Sequence, residues 1–99
     1  MKTPVIIYKD YTVFLEHYKG LNIIHCDCYR WSKEVKQNLI TDFNKLLDIH
    51  RKPLYAIHEI EDSKHLKFLN MMGFIWHNDF VGSDNKQRQL FVRNNQYGN

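Results

Sequence analysis

The sequence has no long hydrophobic run: its longest apolar stretches, such as PVIIY and PLYAI, are four or five residues. A membrane-spanning helix needs about 20 predominantly apolar residues, so no segment qualifies as one. The opening Lys2-Thr3-Pro4 is likewise not followed by the apolar core of a signal peptide. These absences predict an intracellular, cytoplasmic protein that does not enter a membrane.

Cysteine is scarce as well, with only Cys26 and Cys28, in the stretch HCDC. A closed zinc site takes four converging ligands, usually from two clusters, and the sequence contains no second cluster. A disulfide across this spacing would be unusual and would staple nothing, so the default is reduced thiols. We therefore predict no metal site and two buried cysteines with a structural role.

A concentrated positive charge is also missing, since the net charge is only +3. Proteins that bind a phosphate backbone usually carry a Lys/Arg stripe, so nucleic acid is not indicated. The 99 residues are too few for two domains. We expect residues 1–99 to form one domain, with residues 94–99 frayed.

The first third of the chain is rich in β-branched and aromatic residues. Residues 4–18 predict two strands around a turn at Lys9-Asp10. LNIIHCDCYRW, residues 21–31, predicts a third strand, on which His25 and Asp27 face one side and the two cysteines face the other.

The rest of the chain alternates helical and extended patterns. Apolar residues at spacings of three and four predict a helix over residues 32–51, with Ser32 as its N-cap. Pro53 ends this helix, and PLYAIH predicts a short, buried strand of the parallel-paired type. Asp62 or Ser63 begins a second helix through Met72, and FIWHNDFVG and RQLFVR then predict a hairpin around GSDNK.

The predicted class is α+β, a mixed and mostly antiparallel sheet with helices packed on it. The element order is β-β-β-α-β-α-β-β. A parallel β-α-β crossover lies in the middle of this order, while the three first strands are expected to be antiparallel neighbours.

The segment SKHLKFLNMMGF, a helix that ends in Gly-Phe before a closing hairpin, resembles the C-terminal half of the GNAT N-acetyltransferase superfamily. The superfamily pattern Asn-x-x-Ala-x-x-Phe-Tyr-x-x-x-Gly-Phe falls on Asp62, His65, Phe68, Leu69, Gly73 and Phe74, and three of these match: Phe68, Gly73 and Phe74. The tail KFLNMMGF…GSDNKQRQLFVR looks like small acetyltransferase-like proteins of tailed phages. Because the superfamily places a strand and two helices ahead of the part matched here, this chain resembles a truncated member.

The resemblance implies that acetyl-CoA binds where the third strand meets the long helix. Superfamily members use a glycine-containing loop there, whereas this chain has Arg30, Trp31, Ser32 and Lys33. The helix dipole, free N–H groups of residues 32–35 and the two cations could still bind an anion. The alternative is that Trp31 packs, Ser32 caps the helix and the charges are solvated.

The resemblance also implies a catalytic acid and base. The tyrosine that many members use as the acid corresponds to Leu69, which cannot donate a proton. Among His25, Asp27 and Glu16, His25 is the preferred base because of the pKa range of histidine. A cluster of His58, Glu59 and His65 could line the cleft, but we favour a polar loop and helix face.

Two functions therefore remain open. One is transfer of an acetyl group from acetyl-CoA to an amine, with His25 as the catalytic residue. The other is a non-catalytic binding or structural protein of phage type, which would act on a host protein or in an assembly. A protein partner or self-association as a homodimer is expected in the second case, because an exposed sheet edge can pair with another copy.

Overall fold

The computed structural model describes residues 1–94, in which two helices pack on one face of a six-stranded sheet. The elements, in chain order, are β1 (Lys2–Tyr8), β2 (Tyr11–Tyr18), β3 (Leu21–Cys28), α1 (Lys33–His50), β4 (Leu54–Glu59), α2 (Ser63–Met71), β5 (Ile75–Val81) and β6 (Gln87–Arg93). The predicted fold class and element order are confirmed. The tail predicted to fray lies outside the described residues, except for Asn94.

The strands are arranged in the order β1-β2-β3-β4-β6-β5. Every neighbouring pair is antiparallel except β3 and β4, which are parallel. The crossover between these two strands is α1, as the sequence predicts. The sheet therefore consists of two antiparallel three-stranded units that meet at one parallel junction.

Helix α1 begins and ends where the sequence predicts, to within one residue. The Ser32 hydroxyl accepts a hydrogen bond from the Val35 N–H at 3.1 Å, and Arg51 ends the helix in a left-handed conformation with a φ of 54°. Its apolar residues recur on one face and are buried against the sheet: Val35, Leu39, Phe43, Leu46 and Leu47. Within the described chain, neither helix is long and apolar enough to span a membrane.

Helix α2 uses Asp62 as its N-cap, whose carboxylate accepts the His65 N–H at 3.0 Å. Gly73 follows the helix at a φ of +84°, the left-handed region that a residue with a Cβ avoids. Phe74 then lies between helix and strand, with 2% of its surface exposed. The Gly-Phe ending thus turns the chain from α2 to β5 and places an aromatic ring in the core.

The last two strands form the predicted hairpin around GSDNK. The Gly82 N–H donates to the Lys86 carbonyl at 2.9 Å, which closes the turn. Arg88 then contacts Asp84 within the turn and Glu59 on β4, at 2.7 and 2.8 Å. These contacts hold the hairpin against the neighbouring strand.

Three aromatic rings form the centre of the core between the helices and the sheet. Phe43 of α1 meets Phe68 and Phe74 edge to face, with ring centroids 6.4 and 6.1 Å apart. Phe43 is completely buried. Since these rings lie where α1 and α2 come together, they fix the position of both helices relative to the strands.

The other face of the sheet carries no helix of the described chain. An open groove of about 500 Å³ lies on this face, which we call the open face. Its apolar lining comes from β2, β3, β4, β5 and β6: Tyr18, Leu21, Ile23, Ile57, Phe80 and Leu90. The helices therefore cover one face of the sheet, whereas the open face is directly accessible.

Candidate functional site

The parallel junction between β3 and β4 is short. Its ladder joins only two pairs of residues, Asn22 with Leu54 and Ile23 with Tyr55. Both strands continue beyond these pairs, to Cys28 and Glu59, but they form no further pairs with each other. A cavity of about 290 Å³ lies at this point, and we call it the gap.

The gap is lined from both faces of the sheet. Ile24, Cys26 and Cys28 of β3 point toward the helices, while His25 and Asp27 point to the open face, because successive side chains of a strand alternate. All five residues nevertheless line the same cavity. The lining of the gap therefore includes residues from both faces of the sheet.

His25, the predicted catalytic base, lies on the open-face side of the gap. Its Nε2 is 2.9 Å from the Oε1 of Glu16, a residue of the neighbouring strand β2. Since a carboxylate can only accept, Nε2 carries the hydrogen of this bond, and Nδ1 of the neutral ring is left as an acceptor. The hydrogen bond from His25 holds the pKa of Glu16 below its ordinary value.

The helix side of the gap is mainly apolar, with a histidine at its edge. Phe43, Phe68, Leu69 and Phe74 line it together with His65 of α2. Leu69 corresponds to the tyrosine acid of the superfamily and provides no proton. This side can therefore surround a flexible apolar chain while excluding water.

His58 and His65 form a hydrogen-bonded pair that the sequence analysis interpreted as part of a polar loop and helix face. The two Nδ1 atoms are 2.9 Å apart, and His58 is only 1% exposed. Glu59 is exposed and contacts Arg88. The favoured interpretation was therefore wrong for His58, and the alternation of Leu54, Ala56 and His58 on β4 would have placed its ring on the core face.

Burial lowers the pKa of His65, and the nearby His58 lowers it further. The two rings are stacked, with centroids 5.1 Å apart. If both rings were protonated, their positive charges would repel each other, and burial leaves little water to reduce this repulsion. The pair therefore favours a neutral His65.

The four predicted cofactor residues lie beyond the end of β3 and do not line the gap. The Ser32 hydroxyl caps α1 and accepts the hydrogen bond of the Val35 N–H. This N–H is therefore not free to bind an anion, contrary to the prediction from the sequence. Arg30 and Lys33 are exposed, and Trp31 stacks edge-on against Phe68 at 6.3 Å. Whether these residues bind a cofactor stays a prediction.

An apolar groove continues from the gap toward the start of α1. It has a volume of about 430 Å³ and shares Cys28 and Phe68 with the gap. Trp31 and Met71 complete its apolar surface, while two cations stand on it: Lys64 and Lys67. Neither lysine was predicted from the sequence, because only the position of α2 beside the end of β3 brings them to this groove.

The two cysteines face the same side, as predicted, and their Sγ atoms are 3.8 Å apart. Both thiols are free, and burial raises the pKa of each. Cys28 is exposed and Cys26 is half-buried, so the prediction of two buried cysteines was wrong: both residues lie beyond the last pair of β3 with β4, and β3 ends at Cys28. Among residues 1–94, no group of three His, Cys, Asp or Glu side chains converges to hold a metal ion.

Replacement of His25 by alanine tests the electrostatics of the open-face side. Without the hydrogen bond from His25, we expect the pKa of Glu16 to rise toward its ordinary value. The stabilisation from a lowered carboxyl pKa is present above the unfolded pKa and is lost as pH falls through the folded pKa. A carboxyl NMR titration of wild type and His25→Ala measures the change.

His17→Ala is the matched control, because His17 lies on the same strand as Glu16 but is exposed. This variant should leave the Glu16 titration unchanged. An unaltered Glu16 pKa in His25→Ala would show that the contact between the two side chains does not form in solution.

The arrangement of strands and helices is similar to that of a known acetyltransferase. The crystal structure of a ribosomal-protein-S5-alanine acetyltransferase from Vibrio fischeri matches 88% of this chain with a TM-score of 0.71 and 11% sequence identity. This chain covers 55% of the length of that protein. No family model and no curated protein matches the sequence. At this identity the similarity establishes the fold alone, which is GNAT-like.

Proposed function

We propose that the protein is an N-acyltransferase that moves an acetyl group from acetyl-CoA to an amine. The gap between β3 and β4 is the observation that carries this proposal. It borders an apolar, cation-flanked groove on the helix side, and its lining includes His25 of the histidine–carboxylate pair on the open face. A thioester bound on the helix side and an amine bound on the open face could therefore meet in the gap.

The helix side fits acetyl-CoA in its chemistry. The groove offers apolar contact for the pantetheine arm, and Lys64 and Lys67 offer cations for its phosphates. The N–H groups of Lys33 and Glu34 lie in the first turn of α1, where backbone donors have no partner inside the helix and can bind an anion. These donors compensate for the glycine loop that the chain lacks. When bound, acetyl-CoA supplies an activated acyl group.

The open-face side fits the work of a general base. Glu16 fixes the ring of His25 and leaves Nδ1 to accept the proton of an attacking amine. Asp27 lies on the same face and adds negative charge near the gap. Lys2 also lines the gap, and the Met1 ammonium lies 3.8 Å from Glu16, so this side carries charges of both signs. The acceptor reacts as a neutral amine, whose proton His25 takes up.

The backbone around the gap supports polarisation of the thioester oxygen. Beyond Ile23, the edges of β3 and β4 that face each other carry peptide groups outside the ladder. A backbone N–H aimed at an oxygen that gains negative charge stabilises the transition state of acyl transfer. This contribution needs no particular side chain, and so it survives the loss of the superfamily's motif residues.

The first prediction of this proposal concerns cofactor binding. Calorimetric titration with acetyl-CoA should give a dissociation constant in the micromolar range. The double variant Lys64→Glu/Lys67→Glu should weaken binding by roughly tenfold or more, because each reversal places a carboxylate beside the phosphates. The control with the same change of charge is Lys45→Glu/Lys52→Glu, two exposed residues that do not line the groove.

A parallel variant, Arg30→Ala/Lys33→Glu, asks whether the loop predicted from the sequence also holds the phosphates. A larger loss of affinity in this variant than in the α2 variant would move the phosphate site to the loop. No binding at millimolar acetyl-CoA in wild type would overturn the proposed function.

The second prediction concerns transfer. The amine probes are benzylamine, spermidine and a short peptide that begins with alanine, the last suggested by the name of the structural neighbour. Release of CoA, followed with a thiol reagent, should fall on the order of 10²-fold in kcat for His25→Gln. His17→Gln should keep the wild-type rate. Equal rates in the two variants would exclude His25 as the base.

The open face favours the alternative function, a protein-binding module. Besides its apolar groove, the sheet ends in two edge strands with exposed apolar side chains, Ile7 on β1 and Ile75 and Val81 on β5. An exposed edge strand can pair with a strand of another molecule. This supports self-association or a protein partner, and it leaves the phage-type assembly role as a prediction.

Analytical ultracentrifugation tests self-association directly. If β1 pairs with β1 of a second copy, wild type should dimerise with increasing concentration, and Ile7→Lys should be monomeric. Ile75→Lys introduces the same charge on the opposite edge and should still dimerise. A wild-type protein that stays monomeric at high concentration would exclude the homodimer.

A further inference from the structure

The hydrogen bond between His58 and His65 has no role in the transfer described so far. It joins β4 to the first turn of α2, and it places one imidazole at the edge of the gap and the other in the core. Phe91 meets the His58 ring edge-on at 5.5 Å, and Phe68 stacks on the His65 ring at 6.5 Å. Both rings are therefore held in defined orientations.

A bond between two Nδ1 atoms allows two combinations of tautomers, and which one forms depends on which ring donates. One Nδ1 must carry a hydrogen and the other must be bare. If His58 donates, the bare Nδ1 of a neutral His65 requires its hydrogen to be on Nε2. His65 then has a hydrogen-bond donor on the side of its ring that faces away from His58, and Nε2 has no partner among residues 1–94.

The position of His65 on α2 places its ring at the gap. His65 and Leu69 are four residues apart and therefore lie on the same face of the helix, one turn from each other. Both line the gap, together with Cys26. A donor at His65 thus serves the side of the gap at which Leu69 leaves none.

We propose that neutral His65 donates an Nε2–H hydrogen bond to the sulfur of the departing CoA, and that His58 is the positioning residue that fixes its tautomer. This inference rests on the proposed acetyltransferase function. It assigns to a histidine one turn earlier in α2 the stabilisation of the leaving group.

The step balances without a further reactant. The amine nitrogen forms a bond to the thioester carbon, and the bond from that carbon to sulfur breaks. The electron pair stays on sulfur, which leaves as a thiolate bonded to the His65 N–H, while the proton of the amine goes to His25. After the products leave, the CoA thiolate takes up a proton from water, and His25 gives its extra proton to water.

Titratable groups surround the pair from several elements. Asp62 lies at the start of the same helix, and Cys26 and Cys28 face the gap from β3, with raised thiol pKa values. The lowered pKa of His65 keeps the ring neutral near pH 7, which the donor role requires. A neutral imidazole can donate without first acquiring a charge in this poorly solvated place.

The test measures the pKa of the CoA thiol when CoA is bound, and it needs no acceptor. Ultraviolet absorbance reports the thiolate, and a parallel titration with desulfo-CoA subtracts the signal of Cys26 and Cys28. In wild type, we expect the pKa of the bound thiol to lie about one unit below that of free CoA, a tenfold shift toward thiolate.

Three variants separate the roles of the two histidines. His65→Leu should return the thiol pKa to that of free CoA, whereas His65→Gln, whose amide can donate from a similar position, should retain most of the shift. His58→Phe keeps the His65 ring but removes its partner, and at least half of the shift should be lost. Thermal melting confirms that each variant is folded, and His17→Gln is the matched control.

The outcomes distinguish this inference from the proposed function. If wild type binds no CoA, the acetyltransferase proposal fails and the role of His65 fails with it. If CoA binds equally well to wild type and His65→Leu with the same thiol pKa, the inference alone is overturned. If His58→Phe retains the full shift, His58 does not position the ring.

Discussion

The two-pair ladder between β3 and β4 is the constraint on which the rest of the molecule depends. A longer ladder would close the sheet and remove the gap, and a missing one would separate the two halves of the sheet. The covalent connection between these strands is α1, whose apolar face packs across the junction. Hydrophobic burial by the helix thus maintains a sheet that its own hydrogen bonds join only at one end.

Much of the fold could be predicted because the local patterns are strong and agree with each other. Ser32, Asp62 and Gly73 mark helix boundaries through capping chemistry that needs only neighbouring residues. The alternation in β3 correctly separated His25 from the cysteines. What the sequence could not provide was the length of the parallel ladder, because pairing between distant strands depends on tertiary packing.

In the candidate site, too, residues placed by local patterns could be predicted, whereas residues placed by tertiary packing could not. His25 could be selected from its residue type and strand position, and it does line the gap. Its carboxylate partner, Glu16, was only one of several alternatives, since the register of β2 and β3 decides which side chains meet. The lysines of α2 and the His58–His65 pair depend on where a helix docks on the sheet, and no local pattern records that. Residues 30–33 show the opposite case: the resemblance to the GNAT superfamily predicts that they bind a cofactor, and in the structure Ser32 serves as a helix cap.

The division of the sheet into β1-β2-β3 and β4-β6-β5 has a mechanical consequence. Within each unit the strands are joined by long antiparallel ladders, whereas the two units share one short seam. A rotation of one unit against the other about this seam would change the width of the gap while the ladders inside each unit stay intact. In such a motion the sheet would behave as two rigid units joined by a hinge at Ile23 and Tyr55.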